Sequence, residues 1–183
     1  IKGALPEKYQ DMSLLEVYDD LRVSPRYIYG YWPYDRAGKY SEKIKMQEKI
    51  KGEKKFTTVN TPKGELVKES RRGSGANWQI TKFPIKTVED IEKAIWISEN
   101  TTYVFNQEKF EEGSQYFGDR GFPQFYLPRS PYQTLSIAEG MITMGLENLI
   151  YALNDYPKKV ERLMKAIDNS YDSFYKEITL SLI

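Results

Sequence analysis

The stretch Phe122-Pro-Gln-Phe-Tyr-Leu-Pro-Arg-Ser-Pro131 decides the predicted fold, because it has the pattern of a short buried strand that ends in a polar, proline-rich turn. A helix is predicted before it, over about 104–117. Two strong helical patterns follow it, over about 134–154 and from Pro157 onward. A helix, a buried strand and then long helices are typical of a βα unit. The sequence therefore predicts an α/β fold rather than an all-helical bundle.

An antiparallel meander is predicted earlier in the chain, where apolar and polar residues alternate with a period of two. Its three expected strands cover about 43–50, 55–60 and 65–71. The sequence Thr61-Pro-Lys-Gly64 places Pro and Gly at positions suited to a tight turn between the last two strands. The many Lys residues of this segment indicate that one face of the meander is exposed.

Capping residues mark the starts of two further helices. Ser13 and Glu16 have the spacing of a capping box and predict a short helix over about 13–22. Thr87 predicts the N-cap of a helix whose apolar residues repeat at intervals of three and four. Helical spacing is clearest after Pro157, where the predicted apolar face comprises Val160, Leu163, Ile167, Tyr171, Phe174 and Ile178.

Composition excludes several classes of chemistry. The chain of 183 residues contains neither Cys nor His, which removes disulfides, thiol nucleophiles, imidazole bases and nearly every zinc site. Its 27 basic and 26 acidic side chains nearly cancel, so nucleic acid is not an expected partner. The sequence contains no apolar run long enough for a membrane span and does not start like a secretory leader. We therefore expect no membrane partner and a cytoplasmic location.

Four motifs follow one another in a characteristic order. They are Thr61-Pro-Lys-Gly-Glu-Leu66, Pro84 to Ile91, Pro128 to Tyr132, and Met144 to Leu149 followed by Leu153 to Pro157. In this order and spacing, the chain resembles the uroporphyrinogen decarboxylase superfamily, which includes cobalamin-dependent methyltransferases. Two upstream segments are similar to the methyltransferase-like branch, namely Leu5-Pro-Glu-Lys-Tyr9 and Ser24-Pro-Arg-Tyr27.

The resemblance implies a partial TIM (β/α)8 barrel, since members of the superfamily are barrels about twice as long as this chain. The chain starts without Met and stops within an apolar stretch, which also indicates a fragment. It would form a single domain that is part of a larger barrel. Residues 1–40 would supply a helix and an aromatic loop, 41–85 an antiparallel β-meander insertion, and 86–183 the βα units of the barrel.

Two activities are implied for the whole protein, tetrapyrrole decarboxylation and corrinoid-linked methyl transfer. In the first, a protonated pyrrole would accept electrons while Arg residues hold substrate carboxylates. In the second, a metal outside this chain would convert a thiol into a thiolate nucleophile. A corrinoid and zinc are thus implied for the whole protein and no cofactor for this chain, with a tetrapyrrole or a corrinoid protein as the partner. The fragment alone is expected to be inactive.

The end of the predicted strand supplies the first candidate site. In a TIM barrel the chemistry lies at the carboxyl ends of the strands, and a polar group follows residues 122–127 directly. An Arg there could bind a carboxylate or phosphate through two parallel hydrogen bonds, or pair with a neighbouring acidic or backbone group. The candidate substrate-binding residues are Arg129, Ser130, Tyr132 and Gln133.

An aromatic run over residues 26–36 supplies the second candidate site. Its rings and flanking cations could stack on a flat tetrapyrrole or corrinoid. The alternative is an aromatic patch that covers the barrel end or forms a subunit contact. A further hypothesis is a non-catalytic binding or interaction domain, in which the aromatic run and the Lys-rich meander contact a protein partner. The candidate residues of this run are Tyr31, Trp32, Tyr34 and Arg36.

Overall fold

The computed structural model describes residues 6–24, 34–35, 41–74, 77–121, 128–137 and 140–181. The chain divides into two compact units. The first comprises Ile1–Asp35 with Phe105–Leu127, and the second comprises Arg36–Val104 with Pro128–Ile183. The second unit contains the hydrophobic core and the cavities considered below.

Helices and strands are numbered in chain order. The helices are α1 (Leu14–Asp20), α2 (Val88–Glu99), α3 (Gln107–Phe117), α4 (Pro131–Ile137), α5 (Gly145–Asp155), α6 (Pro157–Asn169) and α7 (Asp172–Ser181). The strands are β1 (Tyr34–Asp35), β2 (Lys45–Lys51), β3 (Lys54–Thr61), β4 (Gly64–Arg72), β5 (Trp78–Lys82) and β6 (Val104–Phe105). Short 3-10 helices cover Glu7–Tyr9 and Gly118–Arg120.

The predicted meander is confirmed and gains a fourth strand. Strands β2, β3, β4 and β5 form one antiparallel sheet in sequential order. Lys51 pairs with Lys54 and Thr61 with Gly64 at the two tight connections. Gly64 has a φ of 113°, a backbone conformation that a residue with a Cβ atom rarely adopts. The turn chemistry recognised in the sequence is therefore the feature that closes the second hairpin.

The core lies where the sheet meets the helices of the second unit. Helix α2 packs against α6 and against β4, while α4 and α5 pack against each other and against α6. Burial of these apolar side chains is the main favourable contribution to folding. The fully buried side chains of this unit include Val59, Leu66, Ile85, Ile95, Leu135, Met144, Leu149, Val160 and Leu163.

The expected partial TIM barrel is wrong. A barrel requires parallel strands that alternate with helices, whereas the four-stranded sheet is antiparallel and its strands follow one another directly. Consecutive antiparallel strands form backbone hydrogen bonds with each other and are joined directly by short connections, so no crossover helix is needed. The meander is thus the main sheet of its unit instead of an insertion into a barrel. The expected barrel strand 122–127 lies outside the described residues.

The single helix expected over 134–154 is also wrong, because the chain forms α4 and α5 with a break between them. Gly145 starts α5 with a φ of 76°, which interrupts regular helix geometry. Before it, the Met144 amide and the Thr143 hydroxyl both donate hydrogen bonds to the Leu135 carbonyl, at 2.9 and 3.0 Å. These bonds fold the break back onto α4, and Thr143 is completely buried there.

The pattern after Pro157 predicts the buried face well but not the continuity of the helix. The structure divides this segment into α6 and α7 at Ser170 and Tyr171. The Ser170 amide donates hydrogen bonds to the carbonyls of Ala166 and Ile167, which ends α6. Five of the six expected apolar residues are buried on either side of this junction, namely Val160, Leu163, Ile167, Tyr171 and Phe174.

The first unit confirms the predicted capping box. The Ser13 hydroxyl accepts a hydrogen bond from the Glu16 amide, and the Glu16 carboxylate accepts one from the Ser13 amide. The hydrogen bond from the Ser13 amide, followed by an interaction with the Ser13 side chain, lowers the pKa of the Glu16 carboxyl. Within the same unit, the Arg120 guanidinium donates two hydrogen bonds to Asp19, at 2.7 and 2.8 Å. This bidentate pair links the 3-10 helix after α3 to α1.

Candidate functional site

Of the two expected site regions, the structure describes the group at residues 129–133 fully and the aromatic run only at Tyr34. Tyr31, Trp32 and Arg36 of the aromatic run lie outside the described residues, and Tyr34 lies in the short strand β1. The second group, at residues 129–133, is described and surrounds the start of α4. Stacking of the aromatic run on a flat ligand stays a prediction.

The residues expected after the barrel strand form the cap of α4. Ser130 and Gln133 bond reciprocally: the Ser130 hydroxyl accepts from the Gln133 amide, and the Gln133 side-chain oxygen accepts from the Ser130 amide, each at 3.3 Å. Arg129 and Tyr132 are exposed beside this cap. Local helix capping accounts for Ser130 and Gln133, and substrate binding by the four residues stays a prediction.

A different site emerges from the packing of the second unit, an apolar pocket of about 340 Å³. It lies where one edge of the sheet, the end of α2, the break between α4 and α5, and the end of α6 come together. We call it the apolar pocket, and its lining comprises Met46, Val59, Ile97, Ser98, Thr101, Tyr103, Thr134, Gly140, Met141, Ile142, Ile167, Ser170 and Tyr171.

Two tyrosines form an aromatic part of this lining. The ring centroids of Tyr103 and Tyr171 are 4.6 Å apart, and the ring planes are tilted by 55°. The Tyr103 amide donates a hydrogen bond to the Ser170 carbonyl at 3.4 Å, which attaches the segment after α2 to the end of α6. The chain thus holds an aromatic pair in a fixed place beside aliphatic side chains.

Hydroxyl groups supply the polar part of the lining. Ser98 donates to the Ala94 carbonyl at 3.0 Å, Thr101 to the Ile97 carbonyl at 2.7 Å, and Ser170 to the Ile167 carbonyl at 2.5 Å. Each hydroxyl proton is therefore committed to the backbone, and each oxygen keeps lone pairs that can accept. Toward a ligand, these three groups act as hydrogen-bond acceptors.

A second cavity of about 350 Å³ adjoins the apolar pocket. The two cavities share Ser98, Thr101 and Ser170, which places these hydroxyls at their junction. We call this cavity the polar pocket, and its lining comprises Ser98, Glu99, Thr101, Thr102, Arg162, Lys165, Ala166, Asn169, Ser170 and Ser173. A hydrophobic cavity and a charged one thus lie side by side in the same unit.

The charges of the polar pocket belong to a wider ion-pair network between α2 and α6. Arg162 lies 3.5 Å from Glu99 and 3.4 Å from Glu92. Glu92 also accepts a hydrogen bond from Lys159, which lowers the pKa of this carboxyl below its ordinary value of 4.5. Arg162 therefore pairs with two carboxylates, one of which, Glu92, also binds Lys159. In the described part of the chain, no ion pair joins Lys165 to another side chain.

The described residues contain neither a metal-binding cluster nor a membrane-spanning helix. Within this part of the chain, no group of three or more Asp or Glu residues is arranged to hold a metal ion. None of the described helices combines the length and the apolar character needed to cross a bilayer.

The fold and the two cavities define a mixed α/β unit with an antiparallel meander and a ligand-sized pocket. No protein-family model, no curated protein and no solved structure matches the chain. The resemblance to the uroporphyrinogen decarboxylase superfamily therefore stays a prediction.

The apolar pocket was not predicted from the sequence. Its lining comes from separate segments around residues 46–59, 97–103, 134–142 and 167–171, so no local motif marks it. Met141 is buried in the core and also lines the cavity. The signal in the sequence was a small hydroxyl residue next to an apolar or aromatic one at the ends of α2 and α6, as in Ile97-Ser98 and Ser170-Tyr171.

Proposed function

We propose that the chain is a binding domain whose apolar pocket accepts a small, largely apolar organic ligand. The observation that supports this function is the composition of the pocket wall, where aliphatic side chains and an aromatic pair surround a few hydroxyls. Small-molecule sites are mostly apolar cavities of about 300–1,000 Å³ with a few placed polar groups. The volume of about 340 Å³ lies at the lower end of this range.

The polarity of the wall narrows the ligand class. The lining of the apolar pocket contains no Asp, Glu, Lys or Arg among the described residues, so the part of the ligand inside it is uncharged. The three hydroxyls where the two cavities adjoin keep lone pairs, so they can accept a hydrogen bond from a ligand that carries a donor, without requiring one.

The binding function replaces the enzyme hypothesis as the one that the geometry supports best. Decarboxylation or methyl transfer was inferred together with a barrel, and the sheet of the second unit is an antiparallel meander. A tetrapyrrole or corrinoid partner, association with further copies and a cytoplasmic location stay predictions from the sequence.

Titration with N-phenyl-1-naphthylamine tests the proposal, since this fluorophore is neutral, mostly apolar and carries one N–H donor. We expect its emission to rise and to saturate at one probe per chain. Emission that rises without saturating would contradict a defined pocket.

A matched pair of variants locates the binding site. Met46 lines the pocket, and Ile50 lies four residues further along the same face of β2, outside the lining. Met46→Trp is expected to weaken probe binding about tenfold or more by filling the entrance, and Ile50→Trp to leave it unchanged. Circular dichroism of both variants checks that the sheet is retained. Equal effects of the two substitutions would place the probe elsewhere.

A further inference from the structure

We propose that the apolar and polar pockets form one site for an amphipathic monocarboxylate, with the apolar body in the first and the carboxylate in the second. This inference rests on the proposed function and extends it by naming the charged group of the ligand. The two cavities adjoin at Ser98, Thr101 and Ser170, which line both. The proposed site requires a ligand longer than the apolar pocket to extend past these side chains into the polar pocket.

The charge of the polar pocket selects an anion. Its lining carries one carboxylate, on Glu99, and two cationic groups, on Arg162 and Lys165. The sum of these three charges is positive by one unit. Arg162 is already paired with two carboxylates, at 3.4 Å from Glu92 and 3.5 Å from Glu99. Lys165 is exposed and forms no ion pair within the described part of the chain, so its charge can pair with a ligand. One surplus positive charge matches the single charge of a carboxylate.

Helix ends near the polar pocket do not reverse this preference. The C-termini of α2 and α6 both lie there, and helix C-termini favour cations. Their carbonyls are engaged, however: Ser98 accepts from the Thr101 amide, and Ala166 and Ile167 accept from the Ser170 amide. The side chains of Arg162 and Lys165 line the cavity and carry full charges, which outweigh the partial charges of carbonyls that are already hydrogen-bonded.

In the proposed site, apolar contacts and charge contribute to binding in different cavities. Two ligands that compete with the probe and differ only in the terminal group therefore separate the two contributions. Decanoate and 1-decanol have chains of the same length, and they differ in the charge of the terminal group. Each is titrated at about pH 7 against the chain saturated with N-phenyl-1-naphthylamine, because a carboxylic acid is fully ionised there. We expect decanoate to displace the probe at about one fifth of the concentration that 1-decanol requires.

Three single variants test the role of the charges. Lys165→Gln is expected to abolish the preference for decanoate, and Glu99→Gln to increase it about threefold. Lys158→Gln makes the same change of charge seven residues earlier on α6, outside both linings, and is expected to preserve the preference. The potency of 1-decanol should stay the same in all three variants.

The outcomes distinguish this inference from the function on which it rests. Saturable probe binding with equal potency of decanoate and 1-decanol would overturn the carboxylate site and leave the apolar pocket standing. A preference for decanoate that Lys158→Gln reduces as much as Lys165→Gln would also overturn it, since the effect would then come from overall charge. Absence of saturable probe binding would overturn both.

Discussion

Helices α5 and α6 follow each other in the chain and both have apolar residues at helical spacing, yet they bury different amounts of them. Helix α6 buries its apolar stripe, formed by Val160, Leu163, Ala166 and Ile167. Helix α5 buries Gly145 and Leu149, while Leu146, Ile150 and Leu153 are 49%, 57% and 40% exposed. The exposed residues form a second row at intervals of four and three. Apolar periodicity therefore predicts the helix, and the surrounding elements decide which row is buried.

The largest expected effect comes from truncating one leucine in the buried stripe of α6. Leu163 is completely buried, and its helix α6 packs against α2, α4 and α5. Leu163→Ala leaves a cavity and is expected to lower the free energy of unfolding by about 2–5 kcal/mol. Ile150→Ala on the exposed row of α5 should change it by less than about 0.5 kcal/mol. Urea unfolding of both variants measures this difference, and comparable losses would show that the row on α5 is covered in solution.

The break that separates α4 from α5 provides the next test. Gly145 has a φ of 76°, and a Cβ atom there would lie 2.5 Å from a ring carbon of Phe83. Gly145→Ala combines backbone strain with overpacking, so we expect a loss of about 2–3 kcal/mol in thermal or urea unfolding. Gly140→Ala is the control, since the nearest atom of the described residues to its Cβ would be the Ile142 amide nitrogen, at 4.0 Å. Equal stability of the two variants would refute a required break at Gly145.

The start of α2, the helix that packs against α6, is expected to give a smaller effect. The Thr87 side chain accepts from the Asp90 amide, and the Asp90 carboxylate accepts from the Thr87 amide at 3.1 Å. Thr87→Ala removes one of these bonds and should cost about 0.5–2 kcal/mol, whereas Thr87→Ser retains the hydroxyl and most of the stability. Thermal unfolding compares the two variants, and identical melting temperatures would show that the cap contributes nothing.

The sequence predicts those parts of the fold that depend on local chemistry. The capping box at Ser13, the N-cap at Thr87 and the hairpin at Gly64 were expected and are present, because a few neighbouring atoms determine them. The helix break before Gly145 was missed, because it depends on bonds from Thr143 and Met144 to Leu135 and on the nearby ring of Phe83. The spacing of apolar residues carries no information about such tertiary contacts.

The candidate site likewise combines features that depend on local sequence with features that depend on tertiary packing. Hydroxyl bonds at Ser98 and Thr101 run back to carbonyls of the preceding turn and are local. The pocket that they border requires Met46 from the sheet and Tyr171 from the end of α6, which are far apart in the chain. Predicting the cavity would therefore require knowledge of how α2 packs on α6. Predicting the hydrogen bonds of its hydroxyls requires only the positions of the helix ends.

The smallest expected effect concerns an ion pair in the sheet and depends on pH. Glu69 on β4 has a side chain only 10% exposed and lies 2.9 Å from Lys54 and 3.1 Å from Lys82. The hydrogen bond from Lys54, followed by that from Lys82, lowers the pKa of Glu69 below its ordinary value of 4.5. Because the folded-state pKa is the lower one, the stabilisation is present above about pH 4.5 and is lost as the pH falls through the folded-state value.

Glu69→Gln measures this contribution, since Gln has the same shape without the charge. We expect the variant to unfold at a lower urea concentration than the wild type at about pH 7, and the gap between the two midpoints to narrow as the pH falls from about 4.5 toward the lowered folded-state pKa. Glu65→Gln, four residues earlier on β4 and exposed, should leave the midpoint near that of the wild type over the same pH range. A gap for Glu69→Gln that stays constant throughout this acid range would assign the loss to packing rather than to charge, because protonation removes the charge of the paired carboxylate.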